Sequence, residues 1–208
     1  NVIIKCMLTI IALILKIKAN NQIIITLNST GNQYIYCDEF INYYGTGNMS
    51  VYRILEDKKI SIDNDLILLN NQDDNKCKKK IYYETKTEFE TLLIEFLTFP
   101  INLDSSFMES DINSIELQNE QNNEISIYSH MFENCVKLIS VDLSKYNFYN
   151  VKKLNNMFSG CINLQYLSLP KNSSLNHFEN CNFSEMFSYC TSLKSIDLSQ
   201  MLFNGINN

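Results

Sequence analysis

The sequence predicts an α/β protein: a solenoid of short parallel strands and short helices, preceded by a small β-rich domain. Three observations lead there. The block Met-Phe-x-x-Cys recurs with Met131, Met157 and Met186 as its first residues. Each copy is followed by an apolar alternation of the kind that buries one face of a strand. The first hundred residues break into short β-type runs separated by Gly, Asn and Asp turns.

The repeat defines the larger part. After each cysteine (Cys135, Cys161, Cys190) a leucine follows at +3, as Leu138, Leu164 and Leu193. At +6 come Val141, Leu167 and Ile196, and at +8 come Leu143, Leu169 and Leu198. The copies are 26 residues apart from Cys135 to Cys161 and 29 from Cys161 to Cys190. Ser114–Leu117 stand in the same register one unit earlier, and Phe203 and Ile206 stand where Phe148 and Val151 stand two units before. Recurrence at such a period signals stacked units, none able to bury its apolar side alone. The predicted units lie near 100–130, 131–156, 157–185 and 186–208, the last incomplete.

Two periods describe one unit. Val141 and Leu143 alternate with Ser140, Asp142 and Ser144, which is a strand with one buried face. Upstream, Val151, Leu154, Met157, Phe158 and Cys161 follow helical spacing, as do Ile125, Tyr128, Met131, Phe132 and Cys135, and then Phe183, Met186, Phe187 and Cys190. The expected coil is therefore strand, turn and short helix. Ladders of like residues should join the coils, and the three extra residues between Pro170 and Phe183 should bulge as a loop.

The unit Met-Phe-x-x-Cys-x-x-Leu-x-x-[Val/Leu/Ile]-x-Leu, often followed by Ser, resembles the leucine-rich repeats of BspA-like surface proteins, in their subclass of roughly 26-residue units. Val141-Asp142-Leu143-Ser144 and Ile196-Asp197-Leu198-Ser199 carry the resemblance, whereas Leu167-Ser168-Leu169-Pro170 departs from it. The resemblance covers about half the chain. It implies a secreted or cell-surface protein used in adhesion, and leaves the partner open.

Residues 20–99 are expected to form the β-rich domain capping the first coil, with strands at Ile23–Leu27, Tyr34–Cys37, Val51–Leu55, Lys59–Ile62 and Leu66–Leu69, and a strand or short helix at Glu88–Phe96. Residues 1–19 read as a signal peptide: Lys5, an apolar run from Cys6 to Leu15, then Lys16, Lys18 and Ala19. That run is half of what a bilayer span requires, so no transmembrane span is expected. The alternative is an intracellular repeat scaffold, or a repeat module of a longer protein.

Hydrophobic residues make up 45% of the 208 and charged ones 19%, enough for a packed core. A net charge of -6 argues against a nucleic-acid partner, which calls for a basic face. With 5 Gly and 2 His, and with no nucleophile elbow, phosphate loop or paired zinc motif, the sequence points to no enzyme and no cofactor. The sequons at Asn28, Asn48, Asn172 and Asn182 permit glycosylation, but Asn and Ser/Thr are so abundant that about four arise by chance.

Cys135, Cys161 and Cys190 are expected to stack as small hydrophobes in a ladder with Leu138, Leu164, Leu193, Leu143, Leu169 and Leu198, holding no metal. Cys37 and Cys77 are the disulfide candidates of a secreted chain, and Cys181 a free thiol. His130 and His177 lack the paired spacing of a zinc site. The candidate binding face is the outward row of the sheet: Ser114, Glu116 and Gln118, then Ser140, Asp142 and Ser144, then Tyr166 and Ser168, then Ser195, Asp197 and Ser199. Tyr166 is its anchor, for a protein or surface glycan ligand.

Overall fold

A computed structural model describes residues 22–37, 49–70, 79–96, 103–119, 127–146, 148, 151–170, 178 and 181–199. The apolar run Cys6–Leu15, Cys77, His177, Asn48, Asn172, Phe203 and Ile206 fall outside them. Ten strands follow in chain order: β1 Gln22–Leu27, β2 Gly31–Cys37, β3 Met49–Leu55, β4 Lys58–Ser61 and β5 Leu66–Asn70, then β6 Lys79–Thr85, β7 Glu90–Phe96, β8 Ser114–Asn119, β9 Ser140–Tyr146 and β10 Tyr166–Ser168. They form a seven-stranded sheet, ordered β10-β9-β8-β1-β7-β3-β4, and a three-stranded sheet, β2-β6-β5.

The repeat strands β8, β9 and β10 pair in parallel, with Ile115, Val141 and Leu167 in one row. β1 then pairs antiparallel with β8 on one side and β7 on the other. The large sheet therefore runs unbroken from the repeat into the N-terminal strands. Alternation decides its faces: Ile23, Ile25, Leu27, Leu92, Ile94, Ile115, Leu117, Val141 and Leu143 all point into one core.

The expected α/β solenoid with helices is overturned. Among the described residues there is no helix, and the architecture is all-β in two sheets. Where helices were expected the chain makes overlapping β-turns. Ser106, Met108 and Ser110 donate their N–H to Leu103, Ser105 and Phe107, three residues back. The residues between them donate to the next coil: Ser105 to Ser129 O, Phe107 to Met131 O and Glu109 to Glu133 O. The pattern repeats one coil on, where His130, Phe132 and Asn134 donate to Asn155, Met157 and Ser159, and again where Asn156, Phe158 and Gly160 donate to Ser184, Met186 and Ser188.

Each coil needs two residues at positive φ, four apart: Ser105 and Glu109, His130 and Asn134, Asn156 and Gly160, Glu185 and Tyr189. Turns of this type require the left-handed region at their third position. A turn every four residues buries positions three and four apart, the same spacing that a helix buries. The periodicity was real, but the amides point elsewhere. Segments this short, rich in Ser and Asn, gain little from an isolated helix, and bonds to a neighbouring coil satisfy the same donors.

Packing follows the ladder. The rings of Phe107, Phe132, Phe158 and Phe187 stack one above another, with centroids 5.7, 5.4 and 5.6 Å apart and planes within 16°. The N-terminal part closes the first coil. Cys37 N–H donates to Ser106 O at 2.8 Å, and Asp111 and Tyr34 exchange two bonds of 2.8 Å, amide to carboxylate and amide to carbonyl. Buried Glu90 pins the turn before β7, accepting from Tyr83 Oη, Lys86 N and Thr87 N.

Two substitutions test this account. Leu143 is buried whereas Asp142 faces outward, so Leu143→Asp should cost more than about 3 kcal/mol by urea unfolding, and Asp142→Ala about 1 kcal/mol. Similar losses from both would mean the register is wrong. Gly160 combines φ 76° with a site where a Cβ would run into Asn134 Oδ1 and lie 3.3 Å from Asn134 Cα. Gly160→Ala should therefore lower stability by about 1–3 kcal/mol, and an unchanged unfolding midpoint would contradict the turn geometry.

Candidate interaction face and thiol ladder

The outer face of the large sheet is built by register. Tyr166 lies opposite Ser140, Ser140 opposite Ser114, and Ser114 opposite Thr26, which in turn faces Thr91. The next row runs from Ser168 through Asp142 to Glu116. Tyr166 is 65% exposed at the sheet edge, Ser168 is exposed, and Ser140, Asp142 and Ser144 are half-buried. Ser195, Asp197 and Ser199 are exposed as well, but their segment is not a strand.

A register shift in β9 alters the third row. Glu116 pairs with Asp142, whereas Gln118 pairs with Lys145, so β9 carries one extra residue between them. The Asp142 carboxylate accepts the Ser144 N–H inside this bulge at 2.8 Å. Lys145 takes the outward position and reaches Glu116 Oε1 at 2.9 Å, and Gln118 Nε2 donates to the same oxygen at 2.7 Å. Asp197 repeats the motif with Ser199 N–H at 2.9 Å, and these bonds to Ser199 hold its carboxyl below the usual range. The Asp-Leu-Ser signature thus shapes the backbone at the bulge within β9, and in the same way in the fourth coil.

Sequence reasoning placed the face on the repeat alone. Thr26 and Thr91 extend it across β1 and β7, with Ser114 Oγ donating to Thr26 Oγ1 at 2.8 Å. No local signal marks that extension, since it depends on pairing between strands distant in sequence. Lys145 was missed because a strict two-residue alternation turns it away from Ser140 and Asp142.

The cysteines form a column with defined bonds. Cys135, Cys161 and Cys190 are free thiols, the first two buried and the third half-buried. Each donates to the carbonyl of the Phe one coil earlier: Cys135 to Phe107 O at 2.9 Å, Cys161 to Phe132 O at 3.0 Å, and Cys190 to Phe158 O at 3.0 Å. Ser110 occupies the corresponding place in the first coil, with Oγ 3.4 Å from Cys135 Sγ. The Cys135 thiol beside it, and then burial, push the Cys161 thiol far above the usual range. Burial raises Cys190 too, and pushes Cys181 up to about 12 against the nearby charge of Lys152. Such thiols stay protonated and are poor nucleophiles and poor metal ligands.

Cys37 is disulfide-bonded, and its partner lies outside the described residues. His130 Nδ1 pairs with Glu133 Oε2 at 2.8 Å, and its Nε2 lies 3.4 Å from Asn155 Nδ2. Asn155 Oδ1 in turn accepts from Ser129 Oγ at 2.8 Å, which ties two coils together. Among the described residues no group of three or more His, Cys, Asp or Glu is arranged to hold a metal, and no helix is long and apolar enough to cross a membrane.

Stacked units of 25 to 29 residues carrying a thiol ladder, joined to an antiparallel β part, define the class of protein. Residues 101–206, just over half of the chain, match the family described as "Mycoplasma protein of unknown function, DUF285". The chain belongs to that family. No curated protein and no solved structure matches it.

The raised thiols set a pH dependence. A group whose folded pKa lies above its unfolded value stabilises the fold below the unfolded pKa, and that stability is lost as pH rises through the folded one. For Cys181 the window runs from 9.0 to about 12. Cys161, Cys190 and the buried Tyr128, raised by burial, act in the same direction. The unfolding midpoint should stay level across neutral pH and fall steadily above about pH 9; a midpoint that is constant to pH 11 would contradict the burial of these groups.

Proposed function

We propose that this chain is a non-catalytic, secreted or cell-surface repeat protein that binds a protein or surface glycan through the outer face of its large sheet. The exposure of Tyr166 carries the reading. It is a large aromatic left 65% open at the end of a row of small hydroxyl side chains, where its ring costs least to reach and most to leave wet. Ser140, Ser114 and Thr26 beside it are small enough to admit a ligand backbone or sugar ring. The carboxylates of Asp142 and Asp197 add acceptors along the flank.

The likeness of the Met-Phe-x-x-Cys unit to BspA-like surface proteins supports the same job, as does the run Cys6–Leu15 read as a secretory leader. Surface display suits a fold whose free thiols are buried or half-buried and whose remaining described cysteine, Cys37, is oxidised.

The test is a pull-down from cell-surface extracts, followed by titration of whatever is retained. Tyr166→Ala should weaken binding tenfold or more, equivalent to about 1.4 kcal/mol, with the unfolding midpoint unchanged. Leu69→Ala, at an exposed position on the small sheet, should bind normally. Equal binding by Tyr166→Ala, or equal loss in both variants, would remove the sheet face from consideration.

A further inference from the structure

The outer face around Tyr166 is poor in side-chain volume and rich in acceptors. From β10 to β8 its two rows hold Tyr166, Ser140 and Ser114, then Ser168, Asp142 and Glu116. Neighbouring places in a row lie about 4.8 Å apart, and the rows themselves about 6.6 Å apart. The Tyr166 ring is 65% exposed, and the side chain paired with it on β9 is a single hydroxymethyl group. One repeat further on, the matching position is Ser195, small and exposed as well. A serine thus flanks the ring's place in the repeat on either side.

That composition discriminates between ligand classes. A stable protein–protein interface covers about 800 Å² on each side and gathers aromatic, Met and Arg side chains at its centre, with Ser, Asp and Glu depleted. Here one ring stands among residues of the depleted types. A pyranose ring makes the opposite demands. One of its faces carries C–H bonds that pack on an aromatic ring, and its rim of hydroxyls needs hydrogen-bonding groups close by. Asp142 meets the second demand. One of its carboxylate oxygens accepts the Ser144 N–H at 2.8 Å, which holds the group in place, and the other has no partner among the described residues. The Glu116 carboxylate is engaged instead, by Lys145 and Gln118. Asp142 is therefore the carboxylate of these rows that can take sugar hydroxyls through charge-assisted bonds.

We infer that the ligand of the sheet face is a neutral oligosaccharide, with one sugar ring stacked on Tyr166 and its hydroxyls bonded to Asp142, Ser140 and Ser168. The inference rests on the sheet-face reading above and narrows it to one class. The charge of Asp142, on a chain of net charge -6, opposes glycans that carry sialic acid, sulfate or uronic acid.

A printed array of neutral oligosaccharides and their sialylated counterparts, probed with the full chain, gives the test, and calorimetric titration of the bound members gives affinities. Neutral members should bind, and sialylated ones at least about threefold more weakly. Tyr166→Ala should weaken binding at least about tenfold, whereas Tyr166→Phe, which keeps the ring, should stay within about twofold. Asp142→Asn keeps an oxygen for the Ser144 N–H and removes the charge. It should lower neutral affinity about threefold and narrow the gap to the sialylated members. An array on which no neutral member binds overturns the inference; a protein retained from surface extracts through Tyr166 would then leave the sheet-face reading standing. Preference for sialylated members overturns the inference too. Neutral-sugar binding that is unchanged in Tyr166→Ala overturns both.

Discussion

The constraint on which the rest depends is the division of backbone amides within each turn segment. Half of them close four-residue turns inside a coil, and the alternate half bond to the next coil. This leaves few buried donors unpaired without a helix, and it fixes coil spacing to the repeat of a β-ladder. The stacking of Phe107, Phe132, Phe158 and Phe187 at 5.4–5.7 Å follows from that spacing. So does the parallel pairing of β8, β9 and β10, since strands leaving coils held in register arrive in register. The cost is two left-handed residues per coil, and only Gly160 among the eight is free of a Cβ.

The thiol ladder completes what the amides leave out. The Phe carbonyls point inward and accept one bond within their own coil, so each retains a free lone pair in an apolar interior. A cysteine supplies a weak donor of nearly apolar character there, and its sulfur fills the space beside the rings. Alanine would leave the carbonyl half-satisfied and a void beside it. Serine fits where the neighbour is itself a thiol, as at Ser110. A preference for Cys at this step of the motif thus has a physical basis that invokes neither metal nor redox chemistry.

Much of this was legible in the sequence. The repeat register, the strands of the first three units and the buried ladder positions Cys135, Leu138, Leu143, Cys161 and Leu164 could be read from matched residues, because burial imposes a period whatever the backbone does; the fourth unit departs, with no strand at 195–199 and Leu198 exposed rather than in the ladder. What could not be read was the backbone conformation between the strands. Tyr128, Met131, Phe132 and Cys135 satisfy a helix and a run of four-residue turns equally well, and the difference lies in where the amides of His130 and Asn134 point. The N-terminal strands were visible as short runs bounded by turn residues, except β6, whose opening lysines mask it. The joining of β1 to β8, which extends the outer face to Thr26 and Thr91, has no local signature because it pairs segments about ninety residues apart.

The same division of amides bears on what the sheet face can offer. Its inner strands have spent their backbone groups on one another, so recognition across that face falls to hydroxyls, carboxylates and the Tyr166 ring. Among the described strands β10 ends the sheet, which leaves that ring at an edge. Coil spacing is therefore set by the turn amides, and the chemistry of the face by the residues that alternate along β8, β9 and β10.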